Sequence, residues 1–89
     1  MKVIFLSSFS KDLKKITVQQ VRNEIVSVTE AVENASNLKE IKGVKKLVGF
    51  KNAYRIRIGD YRMGIFFEEN AVEFARVIHR KIIYKKFPQ

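Results

Sequence analysis

Lys2 to Leu6 (KVIFL) is a short apolar run that stops at a pair of serines, and it reads as a β-strand. Ser7 and Ser8 are capping candidates for a brief helix that places Phe9, Leu13 and Ile16 on one face and leaves Lys11, Lys14 and Lys15 to water. Thr17 predicts a second helix through a capping box. Its hydroxyl would accept from the Gln20 amide while the Gln20 side chain reaches back, with Ile16 and Val21 as the hydrophobic staple. Val18, Val21, Ile25, Val28, Val32 and Ala35 then step by threes and fours into one stripe, and Asn34 to Asn37 ends the helix. So many β-branched residues form helix poorly alone, so burial of the stripe must supply most of its stability.

Leu38 to Asn52 mixes lysines with Ile41, Val44, Leu47, Val48 and Phe50 and is interrupted by Gly43 and Gly49. It reads as a connection that seats apolar anchors under a basic rim. From Ala53 the period becomes two: Tyr54, Ile56 and Ile58 alternate with Arg55 and Arg57, and Tyr61, Met63, Ile65 and Phe67 resume after Gly59-Asp60. This predicts a hairpin with a type II′ turn. Glu68 to Asn70 turns the chain again into a strand over roughly Val72 to Ile78, followed by a basic tail from His79 to Gln89. The adjacent Glu68 and Glu69 look like a carboxylate dyad, but beside Asn70 in a turn they read as solvated. The elements predict an α+β fold: an N-terminal strand, a helical hairpin, an antiparallel β-sheet and a basic C-terminal tail.

The tight turn also fixes which residues face each other: Ile58 and Tyr61, Arg57 and Arg62, Ile56 and Met63, Arg55 and Gly64. Arg55, Arg57 and Arg62 therefore share one face, and the apolar residues of both strands share the other. Two cations ~5 Å apart repel by about 1 kcal/mol in water and about 3 at an effective dielectric of 20. A stabilising partner is expected; Glu73 on the next strand is one candidate, and snorkelling of the arginines into water is another. Gly64, with no side chain opposite Arg55, suggests a shallow concavity fit for a phosphate.

Composition narrows the chemistry. Eighty-nine residues form one domain, 1–89, and the 46% hydrophobic content supports a packed core despite a net charge of +9. The chain has no cysteine and one histidine, so disulfides, thiol nucleophiles and paired-histidine metal sites are excluded, and neither a metal nor a cofactor is expected. The opening apolar stretch, Val3 to Leu6, is too short for a signal peptide or a membrane span, so a soluble cytoplasmic protein is expected. Residues 1 to 38 balance at +1 and the remainder carries +8, an asymmetry that suits a polyanion met by one part of the fold.

The run YRIRIGDYRMGIFF (Tyr54 to Phe67), preceded by IKG (Ile41 to Gly43) and followed by RVIHRKIIYKKF (Arg76 to Phe87), resembles the RelE/ParE superfamily of bacterial type II toxin-antitoxin toxins. The resemblance implies the RelE-like microbial RNase fold and, for the RelE-like branch, a ribosome-dependent, metal-independent endonuclease. Such an mRNA interferase cuts A-site mRNA with the ribose 2′-hydroxyl as nucleophile. It implies catalytic roles for Arg55, Arg57, Arg62, Arg80 and Tyr84, and a cognate acidic antitoxin as partner beside the ribosome and mRNA. Lys39, Lys42, Lys45, Lys46, Lys51, Lys81, Lys85 and Lys86 resemble a surface that grips RNA backbone without reading sequence.

The reaction needs a base for the 2′-hydroxyl, cations for the phosphorane and an acid for the leaving 5′-oxygen. Arginines serve the second well and the first poorly, because a guanidinium is neutral in only about one molecule in 10⁵ or fewer at pH 7. The best-known members carry lysine where this chain has Arg55 and Arg57, so Tyr84 among cations becomes the candidate to orient or deprotonate the hydroxyl. Tyr84 could equally pack the tail onto the sheet. His79 is the alternative acid/base; a strand-end histidine bonded to backbone is its plainer reading. The competing function is that of the ParE-like branch, which binds and blocks DNA gyrase without cutting RNA. A third is a small RNA-binding module without activity.

Overall fold

The computed structural model describes residues 1–88. Strand β1 (Lys2–Phe5) leads into helices α1 (Ser7–Lys15) and α2 (Gln19–Asn34), a 3₁₀ turn (Leu38–Glu40), strands β2 (Val44–Lys46), β3 (Ala53–Ile58), β4 (Tyr61–Glu68) and β5 (Ala71–His79), and helix α3 (Arg80–Lys86). One five-stranded sheet has the order β1-β5-β4-β3-β2. The fold class is α+β as expected, but the sheet is mixed: β1 lies at one edge parallel to β5, and the two helices carry the chain from it toward β2 at the other edge. No helix among the described residues is long and apolar enough to cross a membrane.

The hairpin register is the one the turn dictates, from Ile58 opposite Tyr61 to Arg55 opposite Gly64. Gly59 makes the reversal at φ +56°, with no positive φ at Asp60, as a type II′ turn requires. The apolar face of β3 and β4 packs under the helices. Ile56, Ile58, Met63 and Ile65 form one core with Phe9, Ile16, Ile25 and Val32, and Tyr54 and Tyr61 lie at its margin. A bulge in β5 opposite Gly64 and Ile65 makes Ala75 the extra residue. Phe74 and Val77, three apart, consequently share the helix-covered core, while Ala75 turns to the opposite face.

Local capping differs from the sequence expectation. Leu6 and Val18 occupy the N-cap positions of α1 and α2 without side-chain caps. Ser8 instead donates its hydroxyl to the Ala75 carbonyl at 2.6 Å, tying α1 to β5. The Thr17 capping box does not form. The link between the helices is set by Arg22, whose guanidinium donates to the Leu13 and Ile16 carbonyls at 2.7 and 2.8 Å and so closes the C-terminal end of α1. Asp12, unremarked in the sequence, is buried and accepts from both the Arg76 guanidinium and the Val77 amide.

Two further expectations change. The basic connection after Leu38 contains a strand, β2, paired antiparallel with β3. The basic tail begins as the end of β5 and then becomes α3, which lies on the sheet face opposite α1 and α2. There Ile83 and Phe87 form a second core with Leu47, Ala53 and Ala75.

Candidate active site

β3 and β4 bring Arg55, Arg57 and Arg62 to one face, as the alternation requires. There they line a cleft of about 280 Å³ with Gly43, Lys45 and Tyr84. β2 supplies Lys45, directly opposite Arg55. Tyr84 arrives from α3, because Ile83 and Phe87, one turn apart, are buried against the sheet and Tyr84 is left on the cleft side, 71% exposed. The packing role open to Tyr84 thus belongs to its neighbours.

Phe87 also corrects the reading of Gly64. The space opposite Arg55 is not an anion pocket; the Phe87 ring fills it, so closely that a Cβ on Gly64 would lie 2.5 Å from the ring's Cγ. The cation-lined cleft is displaced toward Arg57, Arg62 and Lys45. Phe87 is the residue the sequence reasoning missed. Its signal was present in the i, i+4 spacing of Ile83 and Phe87 beside a strand glycine.

The repulsion between Arg57 and Arg62 is not offset by Glu73, which lies by Glu68 and Glu69 at a separate depression. Arg62 instead donates to the Gly59 and Tyr61 carbonyls at 2.8 and 2.9 Å. The Arg55 guanidinium lies over the Tyr84 ring, 4.4 Å from its centre. Arg57 is exposed to water. Among the described residues none of the three meets a carboxylate, for the ion pairs are Asp12 with Arg76 and Asp60 with Arg80. The charges of the three guanidinium groups are therefore not cancelled by a carboxylate, and they attract an anion.

The Tyr84 phenol is held below the usual tyrosine value. Hydrogen bonding with Arg55 is the first cause and the charge of that guanidinium the second, with Arg62 and Lys45 adding to it and desolvation opposing.

The remaining candidates lie around the cleft. Arg80 is not among the residues that line the cleft and is held at the hairpin tip: its amide donates to the Asp60 carbonyl at 2.8 Å, and its Nε lies 3.9 Å from the Asp60 carboxylate, both side chains largely exposed. His79 caps α3. Its Nδ1 accepts from the Lys81 amide at 3.1 Å and its ring packs edge-on to Tyr61, away from the cleft lining. Lys42, Lys46, Lys51, Lys81, Lys85 and Lys86 are exposed, the first three on the β2 side and the last three on α3. No group of acidic or histidine side chains among the described residues could hold a metal ion.

Comparison with known proteins gives the family. Residues 3–84 match the family model described as the ParE toxin of the type II toxin-antitoxin system, parDE. The chain is 43% identical over 89 residues to Toxin RelE3 of Methanocaldococcus jannaschii, covering 99% of this chain and 100% of that one. Among solved structures, the RelB-RelE antitoxin-toxin complex from Methanococcus jannaschii aligns with a TM-score of 0.82 at 39% identity, over 96% of this chain and 99% of its counterpart. The YoeB dimer from Staphylococcus aureus shares the fold, with a TM-score of 0.73 at 15% identity over 90% and 97% of the two chains. The chain belongs to the RelE/ParE superfamily and is a RelE-like toxin of a type II toxin-antitoxin system.

Proposed function

We propose that the toxin is a ribosome-dependent mRNA endonuclease that works without a metal. The observation that carries this reading is the cleft in which three guanidinium groups without carboxylate partners meet a phenol of lowered pKa. Arg57 and Arg62 bind the non-bridging oxygens of the scissile phosphate and take up the charge of the phosphorane. Arg55 positions Tyr84, whose phenolate accepts the 2′-hydroxyl proton. The 2′-oxygen then bonds to phosphorus as the bond to the 5′-oxygen breaks; the departing oxygen takes a proton from water and the Tyr84 phenol returns its own to solvent, leaving a 2′,3′-cyclic phosphate and a 5′-hydroxyl end. Arg80, released from Asp60, stabilises the departing oxygen. The exposed lysines hold the flanking backbone, which makes binding steeply salt-dependent. Action on ribosomes places the protein in the cytoplasm, and a partner that silences so basic a surface is acidic where it touches it.

Purified protein added to programmed ribosomes should create new mRNA ends at the A-site codon, and a 2′-deoxy nucleotide at the scissile position should abolish them. Gyrase supercoiling measured alongside tests the ParE-like alternative. Intact mRNA with blocked supercoiling would overturn the nuclease reading.

A further inference from the structure

A second depression, about 340 Å³, adjoins the anion cleft and shares Lys45, Arg55 and Tyr84 with it. Its character is different. Leu47 and Phe87 are buried beneath it, while Val48 and Phe50 stand exposed at its side, 95% and 47% accessible. Exposed apolar side chains beside such a density of cations need a reason. They are also held in place. The Phe50 amide donates to the Leu47 carbonyl at 3.4 Å, and Gly49 between them has φ +87°, the left-handed third position of a type II turn. Leu47 and Ala53 close the loop below with a 2.9 Å backbone hydrogen bond. Among the described residues no other ring stacks on Phe50.

We infer that this depression is a stacking subsite for one nucleobase of single-stranded RNA, with the Phe50 ring as the stacking face and the adjoining cleft holding that strand's phosphate. The inference rests on the reading of the cleft as an RNA site and deepens it. The shared wall of Arg55 and Tyr84 joins the two depressions as a sugar joins base to phosphate. The charge favours a polyanion, for Lys45, Lys46 and Arg55 rim the apolar patch and no acidic side chain lines it. An aromatic face does not by itself read a base edge. It accepts any base through its π-face, so the subsite sets the register of the strand and not its sequence.

The test uses the full toxin and RNA pentanucleotides with 2′-fluoro sugars, which lack the attacking hydroxyl, with a single abasic position moved along the strand. Binding is read by fluorescence anisotropy. For one abasic position the wild type should lose about 5- to 150-fold in affinity. Phe50→Ala should lose the same on the intact strand and nothing further on that abasic strand, whereas Phe50→Trp should keep wild-type discrimination. Circular dichroism and a thermal melt confirm that the variants fold. Arg62→Ala should weaken every strand alike, since it acts on phosphate. The inference is overturned if the wild type binds none of the strands or treats abasic and intact strands equally. It is also overturned if the losses from Phe50→Ala and the abasic site multiply at every position, which would leave the patch to a protein partner. Ribosomal mRNA cleavage without this coupling would remove the subsite and keep the nuclease; coupling without cleavage would do the reverse.

Discussion

Gly64→Ala tests whether Phe87 is the pin that holds Tyr84 over Arg55. The new methyl carbon would lie 2.5 Å from Phe87 Cγ and 2.7 Å from both Cδ atoms. Carbon atoms pack at about 3.5–4.0 Å, so the ring must withdraw by about 1 Å or more. Neither side yields easily, because Gly64 is paired to β3 on one side and β5 on the other, and Phe87 also packs on Phe66 at 5.0 Å between ring centres. Overpacking of this kind costs about 1–3 kcal/mol. In a domain of this size each kcal/mol lowers the melting midpoint by about 4–8 °C, so a fall of about 10 °C is expected. Cleavage on ribosomes should fall further than stability does, because α3 moves Tyr84 with it. Adding Phe87→Ala removes the clash, and the double variant should be more stable than the sum of the two losses by about the overpacking cost. Gly64→Ala melting with the wild type, or strictly additive losses in urea titrations, would refute the pin.

Absorbance titration at the phenolate band should show one tyrosine ionising early; Tyr84→Phe removes that step, and Arg55→Gln moves it toward higher pH, since the guanidinium lowers the phenol's pKa. Unchanged curves in Arg55→Gln would show that the stack does not exist in solution. Arg76→Ala strands the buried Asp12 carboxylate and should cost about 3 kcal/mol, more than Asp12→Asn, which leaves the partly exposed Arg76 free to reach water; chemical denaturation of both variants checks the order. Arg62→Ala should lower the cleavage rate by about 10²-fold or more while shifting stability by about 1 kcal/mol or less; full growth arrest by a well-expressed Arg62→Ala protein would contradict its role. Arg57→Gln should abolish cleavage yet raise the melting midpoint slightly at low salt, since it relieves a repulsion of about 1 kcal/mol in water. A variant no more stable than the wild type would show that the repulsion is already dissipated.

What the sequence made legible was whatever depends on short-range periodicity. The hairpin register followed from two turn residues, and with it the common face of Arg55, Arg57 and Arg62. The stripe of α2 followed from its steps of three and four. What the sequence hid depends on partners far along the chain. β2 is three residues long and exists because β3 pairs with it, so nothing inside VKK announces it. The Thr17 capping box met every local criterion and still lost, because Arg22 folds back onto two carbonyls of α1 and draws the link between the helices into an extended path. Asp12 reads locally as one more charge on a solvated face; only the bulge at Ala75 places Arg76 and the Val77 amide where they can receive it. Helix α3 was half legible: the spacing of Ile83 and Phe87 was in the sequence, but a run so rich in lysine masks a two-residue apolar anchor.

The electrostatics of the cleft also explain why this surface is poised to bind. A sheet that sets two arginines opposite each other normally neutralises them with a neighbouring acid, as Asp12 does for Arg76 on the same sheet. Here the side chains use carbonyls and a π-face, which satisfy donors and offset part of the charge without cancelling it. The acids of the C-terminal half lie elsewhere: Glu68, Glu69 and Glu73 around a separate depression, and Asp60 at the hairpin tip beside Arg80. A carboxylate within the cleft would stabilise the free protein and compete with every incoming phosphate. Leaving it out keeps a strained, cationic surface whose stabilisation is supplied by whichever anion docks there. Under the proposed function that anion is the backbone of a message or an acidic segment of the antitoxin, and competition binding should then show the two excluding each other at Arg57 and Arg62.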